Sequence, residues 1–118
     1  MKPAWRINML ELCDPFGWHV LDEAKLREIR QKLAHFESMT LNEIFVVNRA
    51  NNHPVKLADL CPEARERLWK LNLEDTEVIH SLRLSGTERV WGIRELNVLN
   101  LLWWDPDHLI CPAPLKNT

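Results

Sequence analysis

The part of the sequence that most constrains the fold is residues 78–111, near the end of the chain. It is rich in Val, Ile, Leu and Trp, whose branched and aromatic side chains suit the pleated surface of a sheet. Two turn signals interrupt it, at 85–87 (Ser-Gly-Thr) and 95–97 (Glu-Leu-Asn); Gly and Asn accept the positive φ that tight turns require. The stretch therefore predicts three consecutive antiparallel strands, followed by a cluster of Trp, Asp, Pro and His.

The residues before this stretch predict one strand and then a helix. Residues 3–12 are typical of a first strand, and a turn follows at 14–17. Asp22 is a good helix N-cap because its carboxylate can accept the free amide hydrogens of the first turn. Apolar residues then recur at a spacing of three and four, which predicts one buried stripe: Leu26, Ile29, Leu33 and Phe36.

A second main helix is predicted over residues 59–72, with Pro62 in its first turn. Between the helices, Thr40 can cap a short helical segment from 41 to 45 or 46, and residues 48–54 predict a loop. The order predicts a single α+β domain over residues 1–118: an N-terminal strand, two main helices and a three-stranded antiparallel meander. We expect the helices to cover one face of the sheet and residues 112–118 to form a short tail.

Composition limits the function classes. The chain has 118 residues, 46% hydrophobic and 27% charged, which is enough to form a core without a disulfide, metal or cofactor. Its three cysteines are widely spaced, and no apolar run approaches a membrane span, so we expect a cytoplasmic protein. The net charge of −2 gives no general attraction to nucleic acid, and any such role must rest on a local basic patch.

The first hairpin predicts which side chains share a face. A two-residue turn at 86–87 places Leu82 opposite Trp91, on an apolar face that meets the helices. The other face then carries Arg83 and Arg94, with a hollow at Gly92 between them. Three interpretations stay open: a solvated face with its arginines paired to acids, a phosphate-binding platform, or a docking face for a partner's strand or helix.

The segment at 103–108 also has two interpretations. Two tryptophans on opposite faces, an Asp-Pro turn and a capping His108 would be purely structural. Alternatively, His108 acts as a general acid or base, because its ordinary pKa lies near neutrality. A metal site built from His108, Cys111, Asp105 and Asp107 lacks a second closely spaced ligand pair, so we expect none.

The chain resembles the RelE/ParE toxin superfamily of bacterial toxin–antitoxin pairs. The order of strand, helices and three-strand meander carries the resemblance over almost the whole chain. Locally, residues 88–93 (ERVWGI) resemble a family strand in which an Arg is followed by a hydrophobic residue and then, after one further residue, by an aromatic one. Residues 98–104 (VLNLLWW), followed by His108, resemble its last apolar strand. Residues 81–108 are also similar to uncharacterised bacterial and phage-borne proteins.

The resemblance implies a RelE-like sandwich that cleaves mRNA on the ribosome, with the ribose 2′-hydroxyl as nucleophile. Carried over to this sequence, Arg89 would hold the scissile phosphate and His108 would be the acid or base. Arg83, Arg94 and Trp104 are the further candidates for substrate binding. The expected partners are an antitoxin protein and the mRNA or ribosome.

A non-catalytic interaction module on the same fold is the alternative. The family's non-nuclease members inhibit protein targets. Three features of this sequence favour such a role: the slightly acidic balance, the absence of tyrosine, and tryptophans that could lie on the surface, namely Trp5, Trp18 and Trp104. The sequence does not predict the oligomeric state.

Overall fold

A computed structural model of the protein describes residues 1–112, which form a five-stranded sheet with helices packed on it. All of the predicted tail except Pro112 lies outside the described residues. The strands are β1 (Ala4–Arg6), β2 (Asn52–Lys56), β3 (Val78–Ser85), β4 (Glu88–Glu95) and β5 (Val98–Asp105). The α-helices are α1 (Glu23–Glu37) and α2 (Pro62–Lys70). No helix among these residues has the length and apolar character needed to cross a membrane.

The sheet is mixed, with the strand order β1-β5-β4-β3-β2. β1 runs parallel to β5, and every other neighbouring pair is antiparallel. The predicted α+β class is therefore confirmed, and β3, β4 and β5 follow one another as antiparallel neighbours as expected. β1 also joins the sheet as expected, but it covers three residues rather than the predicted ten.

The prediction of a loop over residues 48–54 is wrong at its end, because β2 begins at Asn52 and pairs with β3. The loop prediction rested on Pro54, which cannot donate to a strand ladder. An edge strand tolerates Pro because one of its sides carries no partner strand. β2 is such an edge strand, so it accommodates Pro54 opposite His80.

The expectation that both helices cover one face is also wrong. Ile29, Leu33 and Phe36 of α1 belong to one buried cluster, together with Leu82, Leu84, Val90 and Trp104 of the sheet. Ala64 and Leu68 of α2 belong to a second cluster, with Val55, Ile79, Trp91 and Trp103. The sheet thus has an α1 face and an α2 face, and each is covered by its own helix.

The helix signals are largely confirmed. Asp22 caps α1 by accepting a hydrogen bond from the Lys25 amide at 2.8 Å. Three of the four predicted stripe residues are buried, whereas Leu26 remains exposed. Thr40 and Glu43 form reciprocal hydrogen bonds that begin the short helical turn Glu43–Val47. α2 is shorter than predicted, with Pro62 in its first turn.

The predicted pairing of Leu82 with Trp91 is wrong by one residue. The two-residue turn at 86–87 is present, and Ser85 pairs with Glu88, but Arg83 pairs with Arg89 and Leu82 with Val90. An extra residue in β3 between Arg83 and Ser85 forms a β-bulge, and such a bulge shifts the register by one. Because side chains alternate across a strand, this shift moves Arg89 and Trp91 to the α2 face.

A second bulge lies in β5, where the pairing shifts between Trp91 and Gly92. Gly92 faces α1 and is buried, rather than opening a hollow between arginines. A Cβ at Gly92 would lie 2.6 Å from the backbone oxygen of Asn100. Only glycine therefore permits this close approach of β4 to β5.

Candidate functional site

The turn after β5 is organised by the buried carboxylate of Asp105, which is 2% exposed. Its Oδ1 accepts a hydrogen bond from the Leu109 amide at 2.9 Å, and its Oδ2 accepts one from the Ile110 amide at 3.1 Å. Oδ2 also accepts a hydrogen bond from Trp91 Nε1 at 3.2 Å. A carboxylate with three donors is well satisfied in the interior, so Asp105 fixes the turn against β4.

His108 lies at the tip of this turn with φ 56°, a left-handed conformation that is uncommon for a residue with a side chain. The Thr87 hydroxyl ties the turn to the β3–β4 hairpin by donating to the Pro106 carbonyl at 2.6 Å. Unusual backbone geometry of this kind often accompanies functional residues, because the surrounding structure must hold it in place. In this turn, the hydrogen bonds of Asp105 and Thr87 hold the backbone of His108 in place.

Arg89 shares the α2 face with Arg83 on one side and Asp105 on the other, because the three are cross-strand partners in β3, β4 and β5. Arg89 Nη1 donates to the backbone oxygens of Gly86 at 2.8 Å and Glu88 at 3.1 Å. Arg83 Nη1 donates to Asn51 Oδ1 at 3.1 Å. Within residues 1–112, neither arginine has an acidic side chain within salt-bridge distance.

The charges of this cluster act on one another. Burial, followed by the positive charge of Arg83, lowers the pKa of Arg89, and Asp105 opposes this. Burial, followed by the positive charge of Arg89, lowers the pKa of His108, and the negative charge of Asp105 partly opposes this shift. His108 is therefore neutral at pH 7 and able to accept a proton. Asp107, its neighbour in sequence, is not among the charges that shift either pKa.

One further residue belongs with Arg83, Arg89 and His108, and the sequence analysis missed it: His53. It pairs with Ser81, so it faces the α2 side. Arg83 lies two residues beyond Ser81 in β3, on the same face. Its charge also lowers the pKa of His108, which places the two imidazoles within electrostatic reach. The predicted loop concealed it: once 52–56 is recognised as an edge strand, alternation assigns His53 and Val55 to one face. We call Arg83, Arg89, His53 and His108 the cationic cluster.

Two of the predicted substrate-binding residues lie elsewhere. Arg94 is on the α1 face, since β4 alternates regularly from Val90. Its guanidinium stacks over the Phe45 ring at 5.1 Å and donates to the Leu96 carbonyl at 2.7 Å. The prediction that Arg83 and Arg94 share a face is thus wrong, and the bulge in β3 is the reason.

Trp104 is 4% exposed and packs against Trp18 in the α1-face core, with ring centroids 6.4 Å apart. It therefore cannot offer a surface to a substrate. Trp103 points to the opposite face, as the structural interpretation of this pair predicted. Of the tryptophans expected on the surface, Trp18 and Trp104 are buried, and Trp5 is partly buried and donates to Glu37 Oε2 at 2.8 Å.

Neither metal nor thiol chemistry is favoured around this turn. In the described part of the chain, no three His, Cys, Asp or Glu side chains converge in a way that could hold a metal ion. Burial, followed by the negative charge of Asp59, raises the pKa of the Cys111 thiol. A raised pKa disfavours the reactive thiolate.

The cationic cluster therefore combines two imidazoles at one end of the sheet with two guanidinium groups that form no salt bridge within residues 1–112. Planar guanidinium groups suit phosphate oxygens, and a neutral imidazole suits proton transfer near pH 7. The arrangement fits a phosphodiester better than a neutral ligand, because Asp105 offsets the charges of the two guanidinium groups only in part.

No family model matches this chain, and no curated protein or solved structure gives a significant match.

Proposed function

We propose that this protein is a RelE-like, toxin-type ribonuclease of a toxin–antitoxin or phage-borne module, which cleaves mRNA in the cytoplasm and has an antitoxin as its partner. The observation that carries the proposal is that Arg83, Arg89 and His53 share the α2 face, with His108 in the turn after β5 within electrostatic reach of all three. The element order also supports a RelE-like sandwich, since a first strand and helices precede the β3–β4–β5 meander. In this proposal, β2 is an extra strand at the edge of the RelE-like sheet.

The cluster accounts for each requirement of cleavage by an internal 2′-hydroxyl. Arg89 and Arg83 bind the non-bridging oxygens of the scissile phosphate and neutralise their charge as the pentacovalent transition state forms. The neutral His108 accepts the 2′-hydroxyl proton as that oxygen forms its bond to phosphorus. The bond from phosphorus to the 5′-oxygen breaks, and His53 in its protonated form donates the proton to the leaving oxygen. The products are a 2′,3′-cyclic phosphate and a free 5′-hydroxyl.

The test is to induce the protein in bacterial cells and map RNA 5′ ends. We expect new ends with the unmodified protein and none with Arg89→Ala or His108→Gly. Glycine is chosen because it accepts the φ of 56° at this position and removes only the imidazole. Arg94→Ala and His19→Ala remove the same side-chain types outside the cluster and should leave cleavage intact.

Rates with purified protein make the test quantitative. Loss of a general base costs about 10²- to 10⁴-fold, and we expect His108→Gly to fall in that range. An RNA with a 2′-deoxyribose at the cleaved position should bind without being cut. Unchanged cleavage by both cluster variants, or the absence of new ends with the unmodified protein, would refute the ribonuclease proposal.

A second candidate function, a non-catalytic protein-interaction module, is favoured by large apolar side chains that remain exposed. Trp69 on α2 is 65% exposed, and Val46 and Val47 in the turn before β2 are also exposed. The test is purification from the native host. A stable complex whose partner is released by Trp69→Lys, with no nuclease activity in the freed protein, supports this alternative over the first.

A further inference from the structure

A groove runs between α1 and the β3–β4 hairpin, on the face opposite the cationic cluster. One half has a volume of about 480 Å³ and lies along Lys25, Glu28, Lys32 and His35. The other half, about 500 Å³, continues from Lys32 and His35 past Asn51 to Arg83. The two halves share Lys32, His35, Leu84 and Ser85 in their lining, so they adjoin as one open groove on the surface.

The groove reaches the cluster because β2 is too short to cover all of β3. Asn52, the first residue of β2, pairs with Leu82. In the described chain, the part of β3 beyond Leu82 has no strand on that side. The groove passes along this open edge, and Arg83 is both one of its lining residues and a member of the cationic cluster.

The walls of the groove are polar and favour an anion. Lys32, His35 and Arg83 supply positive charge or hydrogen-bond donors, and the Asn48 and Asn51 side-chain amides lie beside them. The two acids at the far end, Glu28 and Glu88, are both bound at 2.7 Å by Lys25. These two carboxylates, Glu28 first, raise the pKa of Lys25, so it stays charged. Lys25 and Lys32 together balance the two acids, and the excess positive charge of the groove therefore lies at the end near Arg83.

The floor of the groove is apolar, formed by Ile29 and Leu84, and Met39 lies at the end near Arg83. Along α1 the groove extends from Lys25 to Phe36, about 16 Å at a rise of about 1.5 Å per residue. A groove with donors on its rim and an apolar floor suits a sugar-phosphate backbone with stacked or splayed bases.

From these observations we infer that the groove binds single-stranded RNA next to the cleaved nucleotide and leads it over the open edge of β3 to Arg83. This inference rests on the proposed ribonuclease function and adds a binding track for the flanking nucleotides. It assigns Lys32 and His35 as contacts to the RNA backbone.

The experiment measures fluorescence anisotropy with RNA that carries a 2′-deoxyribose at the cleaved position. Two lengths are compared, about four and about twelve nucleotides, which span common single-strand site sizes. We expect Lys32→Glu to weaken binding of the long RNA by about tenfold, a change of ~1.4 kcal/mol, and to leave the short RNA nearly unchanged. The control is Arg30→Glu, the same charge change on the outer side of α1, near Arg27 and Glu23.

Equal losses in Lys32→Glu and Arg30→Glu would overturn the inference, as would equal affinity for the two RNA lengths. A groove that takes a polypeptide instead would leave RNA affinity unchanged in Lys32→Glu, which also overturns it. Cleavage of the same two RNA lengths with ribose at every position separates this inference from the proposed function. If the short RNA is cut but the long RNA gains no affinity, only the groove is wrong. If Lys32→Glu weakens binding but no RNA is cut, only the ribonuclease proposal is wrong.

Discussion

Asp105 is the residue on which the geometry of the cationic cluster depends most, because its carboxylate joins β4, β5 and the His108 turn. Asp105→Ala would leave the Trp91, Leu109 and Ile110 donors unpaired in a buried site. We expect a loss of about 3 kcal/mol in the free energy of unfolding, measured by urea denaturation. Asp107→Ala, an exposed residue in the same turn, should change it by about 0.5 kcal/mol or less. Equal effects of the two variants would contradict this role for Asp105.

His80 makes the stability sensitive to acid. It is buried in β3 with its ring edge-on to Phe45, and its Nδ1 has no hydrogen-bond partner among residues 1–112. Burial, followed by the charge of Arg94, lowers the pKa of His80 to about 4. The imidazole of His80 therefore takes up a proton near pH 6.5 in the unfolded chain but only near pH 4 in the folded protein. The stabilising effect is complete above pH 6.5 and is lost as pH falls toward 4, a difference of roughly 3 kcal/mol.

His80→Phe tests this pH dependence, because phenylalanine keeps the contact with Phe45 and cannot be protonated. We expect the variant to lose less stability than the unmodified protein between pH 7 and pH 4, measured as the denaturation midpoint at each pH. His19→Phe, at an exposed position, is the control and should follow the unmodified protein. Parallel curves for His80→Phe and the unmodified protein would exclude His80 as the source of the acid sensitivity.

Among the elements, the β3–β4–β5 meander illustrates what can be predicted from sequence. Turn chemistry located the 86–87 turn, because Gly86 has the positive φ of 49° that its type requires. The bulges had no such signal, since they depend on how β3 and β5 pack against neighbours distant in sequence. One extra residue in β3 was enough to exchange Arg94 for Arg89 beside Arg83. The sequence pointed to Arg83, Arg89 and His108 as candidates, but it could not place His53, because Pro54 led to the prediction of a loop over residues 48–54.

Two glycines of this meander should therefore respond differently to the same substitution. A Cβ at Gly86 meets nothing within 4 Å, so Gly86→Ala carries only the cost of positive φ, about 1 kcal/mol. At Gly92 a Cβ would meet the Asn100 backbone oxygen, which cannot move without disturbing β5. We expect Gly92→Ala to cost about 3 kcal/mol, measured by thermal unfolding. A smaller loss at Gly92 than at Gly86 would contradict the close approach of β4 and β5.

At the scale of the whole molecule, the net charge of −2 and the cationic cluster predict a localised rather than a general attraction to nucleic acid. In the proposed complex, Arg83 and Arg89 supply the phosphate contacts at the cleaved nucleotide, and Lys32 supplies a third in the groove. For single strands, the logarithm of the binding constant falls with the logarithm of salt concentration by about 0.7 per contact. Three contacts therefore predict a slope near −2.

This slope is measurable by anisotropy titrations between about 50 and 200 mM salt with the uncleavable RNA. Arg83→Ala should weaken binding and reduce the slope by about 0.7, whereas Arg94→Ala, on the other face, should change neither. Because the rest of the surface carries the excess of acids, duplex DNA should bind far more weakly than the RNA at every salt concentration. A slope near zero, or an equal effect of Arg94→Ala, would mean that the cationic cluster does not hold phosphates.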